Sequence, residues 1–189
     1  MRLTSRLTVA ALAGALTIAV AAPAQAVPAQ TIRTTQGVSA AQRDHDVCAQ
    51  DRKFLRAEHR AHLIEIAAGQ LALERSSRAD VREIAEKLIE DHTRMDEGTQ
   101  FVARELDVQL PATPSAHQVQ ELLAVAARPD STFDFAWLRL QELTHERMFV
   151  VLNAERAQGC SWRAKRSALA GRPIVRQHLT MVRIALRHS

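Results

Sequence analysis

Along one stretch of the chain Val81, Ala85, Leu88, His92, Met95, Thr99, Val102 and Leu106 recur at alternating steps of four and three. At that spacing side chains share one stripe of a helix, so the stretch predicts an amphipathic helix with this stripe buried. Comparable patterns occupy three other long segments, and the alternation of a β-strand appears nowhere in the sequence.

Punctuating residues set the expected ends. Helix one should run from about Arg43 to Leu73 and stop at ERSSRAD. Helix two should start at Asp80, acting as N-cap, and reach Leu106. The joint DVQLPATPSA leads through a short helix near 119–127 to RPDST, where Pro129 and Ser131 open helix three. Gly159 ends that helix after about Gln158, and Ser161 caps helix four, which continues to about Arg187. Four long helices without strands predict an all-α four-helix bundle.

Polar residues interrupt each stripe. His92 takes an apolar position in helix two. In helix three His145 aligns with Leu138 and Leu152, with Glu142 one turn before it. In helix four His178 accompanies Ile174, Met181 and Ala185. In helix one Glu65 sits among Ala61, Ala68 and Ala72, with Glu58 and His62 on adjoining turns. A single inward histidine is ordinarily satisfied by a hydrogen bond. Inward acids and imidazoles in all four helices are the ligand types that hold Fe, Mn or Zn, and the same groups could equally pair with one another in a metal-free cluster.

Two cysteines, Cys48 and Cys160, bear on the topology. In an exported chain they should pair, which requires Cα atoms within about 7 Å. A simple up-down-up-down bundle would leave them at opposite ends, roughly 40 Å apart. If the connection after helix two climbs back along the bundle, as in ferritin-type folds, both reach the same end. Counted from that end, Glu65 lies 17 residues after Cys48, while Glu142 and His178 lie 18 residues before and after Cys160, so all three share a level.

The termini and charge narrow the setting. Residues 1–26 read as a secretory signal peptide, with Arg2 and Arg6, an apolar run and Ala24-Gln25-Ala26 as the cleavage site. Residues 27–42 are small and polar and read as a flexible mature N-terminus, leaving 43–189 as the helical domain. No later segment is long and apolar enough to span a bilayer. Loss of Arg2 and Arg6 lowers the formal charge from +4 to +2, and export argues against nucleic acid as a partner. Arg172, Arg176, Arg183 and Arg187 form a stripe facing away from His178, either paired with acids of neighbouring helices or touching an anionic envelope component. Gly171 and Pro173 should kink helix four just before His178.

The segments FLRAEHRAHLIEIAAGQLA with Glu65, LIEDHTRM with Asp91 and His92, FDFAWL with Asp134, and RPIVRQHL with Pro173 and His178, together with His145, carry a resemblance. Over about Asp46 to Leu186 the chain resembles the ferritin-like exported bacterial proteins of domain of unknown function 4142. The resemblance implies a ferritin-like four-helix bundle outside the cytoplasm, in a family without an established activity. Di-iron members of the wider class carry Glu-x-x-His on two helices; this chain has it once, at Glu142 and His145, and Ile89 stands where helix two would need the acid. A single transition metal is therefore the expectation, held by Glu65, His92, His145 and His178, with Glu142 either a further ligand or an orienting partner. His62, Asp91 and Asp134 would orient those ligands, Asp134 alternatively serving as a helix N-terminal charge. A metal-free envelope scaffold acting through surface contacts is the competing expectation.

Overall fold

The computed structural model describes residues 47–188. The expected signal peptide, the expected N-terminal segment and residues 43–46 of helix one lie outside the described residues. Five helices follow in order: α1 (Ala49–Arg75), α2 (Ala79–Glu105), α3 (Ala116–Ala126), α4 (Asp130–Gln158) and α5 (Trp162–Arg187), with no strand among the described residues.

The helix ends follow local chemistry, and the starts of α1 and α2 differ from expectation, residues 47 and 48 lying outside the helix expected to include them. α1 begins after Cys48, whose N–H donates to Asp51 Oδ2 at 2.8 Å and so is taken up by the first turn. Asp80 is not the N-cap of α2; Arg78 occupies that place, and Asp80 lies in the first turn, where its Oδ1 accepts from Val81 N at 2.9 Å. α2 ends in a Schellman arrangement, with Val108 N donating to Ala103 O and Asp107 at φ 50 in the place glycine usually takes. Ser115 caps α3, its hydroxyl accepting from Gln118 N while Gln118 Oε1 accepts from Ser115 N. Ser161 caps α5, which runs unbroken through Pro173.

The four long helices pack so that α1 and α5 each lie against both α2 and α4. Arg75 at the end of α1 donates to the carbonyls of Ala126 and Arg128 and pairs with Asp130 at 2.6 Å, placing the end of α1 beside the start of α4. At the opposite end Cys48 and Cys160 form a disulfide with Cα atoms 5.8 Å apart. The buried Asp51 carboxylate adds to this joint by accepting from Cys160 N and Ser161 N at 2.9 and 3.1 Å. α2 and α4 therefore run in one direction and α1 and α5 in the other. The connection after α2 returns along their length, and α3 lies on α1 and α4.

The interior has three levels. One apolar cluster, with Ala72, Val81, Leu88, Trp137, Leu138 and Val182, fills the end near Arg75. A second, with Phe54, Leu55, Leu106, Leu152, Ala168 and Val175, fills the disulfide end. Between them the buried residues are polar, including Glu58, His62, Glu65, Asp91, His92, Gln141, His145 and His178. Isolating such groups from water is unfavourable unless each finds a partner, so the two apolar ends support a middle layer that needs its own explanation.

Candidate metal centre

Each long helix contributes to the middle layer. α1 supplies His62 and Glu65 from adjacent turns, α2 supplies the neighbours Asp91 and His92, α4 supplies Gln141 and His145 at i, i+4, and α5 supplies His178; all are at least 96 % buried. Four imidazoles meet there, with the ring of His92 5.2, 5.7 and 5.3 Å from those of His62, His145 and His178. One nitrogen from each of His92, His145 and His178 falls within 4.8 Å of the other two.

Their hydrogen bonds fix where the lone pairs point. His145 Nδ1 lies 2.8 Å from the Gln141 carbonyl, which can only accept, so Nδ1 carries the proton and Nε2 the lone pair. His178 Nε2 lies 2.9 Å from Asp91 Oδ2, so that nitrogen donates and Nδ1 keeps the lone pair. These two lone pairs face each other across 3.2 Å. His62 Nδ1 and His92 Nδ1 are 2.9 Å apart and share one proton between them. His62 Nε2, His92 Nε2, Glu65 Oε2 and both side-chain polar atoms of Gln141 are buried without a hydrogen-bond partner among the described residues.

Burial sets the charges of the layer. It lowers the pKa of His62 to about 4 and that of His178 to about 4, in the latter case against the pull of Asp91. It also holds His92 well below its ordinary value, the neighbouring histidines acting in the same direction. These rings are therefore neutral at pH 7, the form that binds metals. The same burial raises Glu65 above its ordinary value, and His145 and Thr144 offset only part of that effect. Asp91 is held below the ordinary carboxylate value because hydrogen bonds from His178 and Lys87 outweigh its burial.

The expected residues divide clearly. His92, His145 and His178 come together, Glu65 lines the same cavity as His92 and His145, and His62 and Asp91 contact His92 and His178 respectively. Glu142 does not join them: it pairs with Arg139 and, through Oε1 at 3.0 Å, with Arg183 Nε on the surface. Gln141 takes the inward position instead, because Phe133, Trp137, Leu138 and Leu152 set the buried side of α4 nearer to residue 141 than to 142. Asp134 lies toward the other end of α4, where its charge acts on Arg78 rather than on the histidines.

The expectation passed over His59 and Asp96, whose Nδ1 and Oδ1 are 2.5 Å apart on the level of Glu58. Asp96 follows His92 by four residues and His59 precedes His62 by three, so each lies one turn from a histidine already marked as inward. Cys48, Asp51 and Cys160 also cluster. The two sulfurs are bonded to each other and Asp51 is engaged by backbone amides, so no thiolate is left to ligate an ion.

The arginine stripe of α5 is partly neutralised, since Arg183 also meets Glu146 Oε1 at 2.5 Å.

No curated protein matches the chain. Among solved structures, a DUF305 fragment from Deinococcus radiodurans is similar in fold, with a TM-score of 0.68 and 14% identity over 76% of this chain and 99% of that one. Residues 36–184 match the model of the family described as Domain of unknown function (DUF4142), and the chain belongs to that family.

Proposed function

We propose that this protein is an exported ferritin-like four-helix protein that binds one transition metal ion through His92, His145 and His178, with Glu65 as the anionic ligand. The facing lone pairs of His145 Nε2 and His178 Nδ1 carry this reading. With both tautomers set by groups that only accept, no proton is left to bridge the two rings, and a cation relieves the contact. His92 Nε2 and Glu65 Oε2, both buried and unpartnered, supply two further donors in the same layer. Proton sharing with His62 leaves His92 Nε2 its lone pair when His92 Nδ1 is the donor.

The donor set suits one ion of the Zn, Fe or Mn group, with imidazole nitrogen favouring Zn and Fe. Two irons would need bridging carboxylates; with Glu142 on the surface and Asp91 engaged by His178, Lys87 and Arg94, Glu65 is the acid left for an ion. Asp91 and the Gln141 carbonyl would hold the ligating rings in orientation, the usual arrangement around metal-bound histidine. When bound, the ion would supply Lewis acidity.

The antiparallel neighbours and the return connection before α4 support the ferritin-like description. The Cys48–Cys160 bond supports export, since such bonds persist in oxidising compartments. No helix among the described residues is long and apolar enough to cross a membrane.

The test is elemental analysis of the protein purified without a histidine tag, alongside His92→Ala and His145→Ala. The expected result is near-stoichiometric metal that is lost in both variants. Near-zero metal in all three proteins, with the variants merely less stable, would favour a metal-free envelope scaffold.

A further inference from the structure

A cavity of about 420 Å³ opens between α1 and α4 under the first turns of α3 and reaches the histidine layer. Its walls are Ala57, Ala61, Ile64, Met148, Val151 and Val175, and its inner end is formed by Glu65, His92 and His145. Two small residues one turn apart on α1 leave this space where larger side chains would fill it. On the α3 side Glu121 is paired with Arg147 at 2.7 Å and with His117 at 3.3 Å.

We propose that this cavity binds a small uncharged molecule with a ring-sized apolar body and one heteroatom donor, of the phenol or azole class, its donor directed at the histidine layer. The assignment of the donor's target rests on the metal reading; the assignment of the pocket does not. Small-molecule sites characteristically combine apolar walls with a few convergent polar groups. Here Glu65, His92 and His145 converge at the inner end, and Glu65 Oε2 and His92 Nε2 have no hydrogen-bond partner among the described residues. An apolar cavity of about 150 Å³ accepts benzene, so this one has room for a substituted ring. Apolar walls disfavour an ion, which would lose its hydration without replacement. The polarisable thioether of Met148 suits an aromatic face.

Methionine methyl NMR on the disulfide-bonded protein, with phenol as the probe, tests the pocket. Met148 lines this cavity, whereas Met95 lines a separate one beside Phe101 and Trp162, between α2 and α5, and serves as an internal control. Phenol should shift the Met148 methyl saturably in the millimolar range while Met95 stays in place. Ala61→Phe should weaken that response by about tenfold or more without changing metal content. Ala57→Leu, which keeps a good helix former, provides the same test if the larger side chain prevents folding.

Absence of a Met148 response in both metal-loaded and metal-free protein would overturn the proposal, as would a response that survives both substitutions or that Met95 shares. A saturable Met148 response in a protein that takes up no metal even when metal is supplied would support the pocket while sinking the metal reading.

Discussion

His145 Nε2 stands 3.2 Å from His178 Nδ1, and each ring is held from behind by an acceptor, the Gln141 carbonyl for one and the Asp91 carboxylate for the other. Asp91→Asn replaces an obligate acceptor with a side chain that can also donate, allowing His178 to reverse its tautomer. Metal affinity should fall about 10–100-fold while the fold is kept, as measured by competition with a chelator. Unchanged affinity would show that Asp91 does not set the ring.

The two acids of the expected site should separate in the same assay. Glu65→Gln removes the carboxylate that would ligate the ion and should weaken metal binding by at least about tenfold. Glu142→Gln disturbs a surface cluster with Arg139 and Arg183, so its metal affinity should match the wild type and its stability should change by less than about 1 kcal/mol. Equal losses in both variants would contradict the inward and outward assignments.

Metal-free protein should be most stable over a limited acidic range. His62 and His178 titrate near 4 in the fold against 6.5 ordinarily, so the unfolded chain binds more protons between those values and stability falls as pH drops through them. Glu58 behaves oppositely. Burial raises it to about 8 from 4.5, so the folded state binds more protons across that interval and stability falls as pH rises toward 8. Glu155, raised to about 7 by burial and by Asp51, adds to the alkaline loss. The opposing slopes overlap between 4.5 and 6.5, where stability should be flattest. Glu58→Gln should raise stability at pH 8 by about 1–3 kcal/mol relative to wild type. Urea unfolding at pH 4, 5.5 and 8 would measure this, and an unaltered alkaline decline would mean that Glu58 is ionised in the fold.

Removing the Cys48–Cys160 bond opens a loop of 112 residues. The chain-entropy account assigns about 4–5 kcal/mol to a closure of that length. Cys48→Ser combined with Cys160→Ser should lower unfolding free energy by about 2–5 kcal/mol in urea titrations at fixed pH. A loss below about 0.5 kcal/mol would mean that Asp51 and helix packing already hold this end.

Much of this architecture is legible in the sequence because it depends on periodicity and chain length. The α2 stripe fixes which way His92 faces, and the need to join Cys48 to Cys160 selects a returning connection over a simple meander. The α4 register is harder to read. Residues 141 and 142 lie within about 100° of each other around a helix, on either side of the line through His145. Chemical preference favours the acid at 142, whereas the large residues Phe133 and Trp137 place the buried side nearer Gln141. The pairing of His59 with Asp96 and the facing tautomers of His145 and His178 depend on contacts between helices, which no stripe within one helix encodes.

Because its partner comes 112 residues later, Cys48 remains an open thiol while the chain through α4 is synthesised. During that interval other thiols can capture it, and mixed disulfides or chains linked through Cys48 are the products to expect from slowed synthesis or a depleted isomerase. Closure of this bond therefore awaits the α4–α5 corner, a kinetic demand separate from the strength of the finished protein.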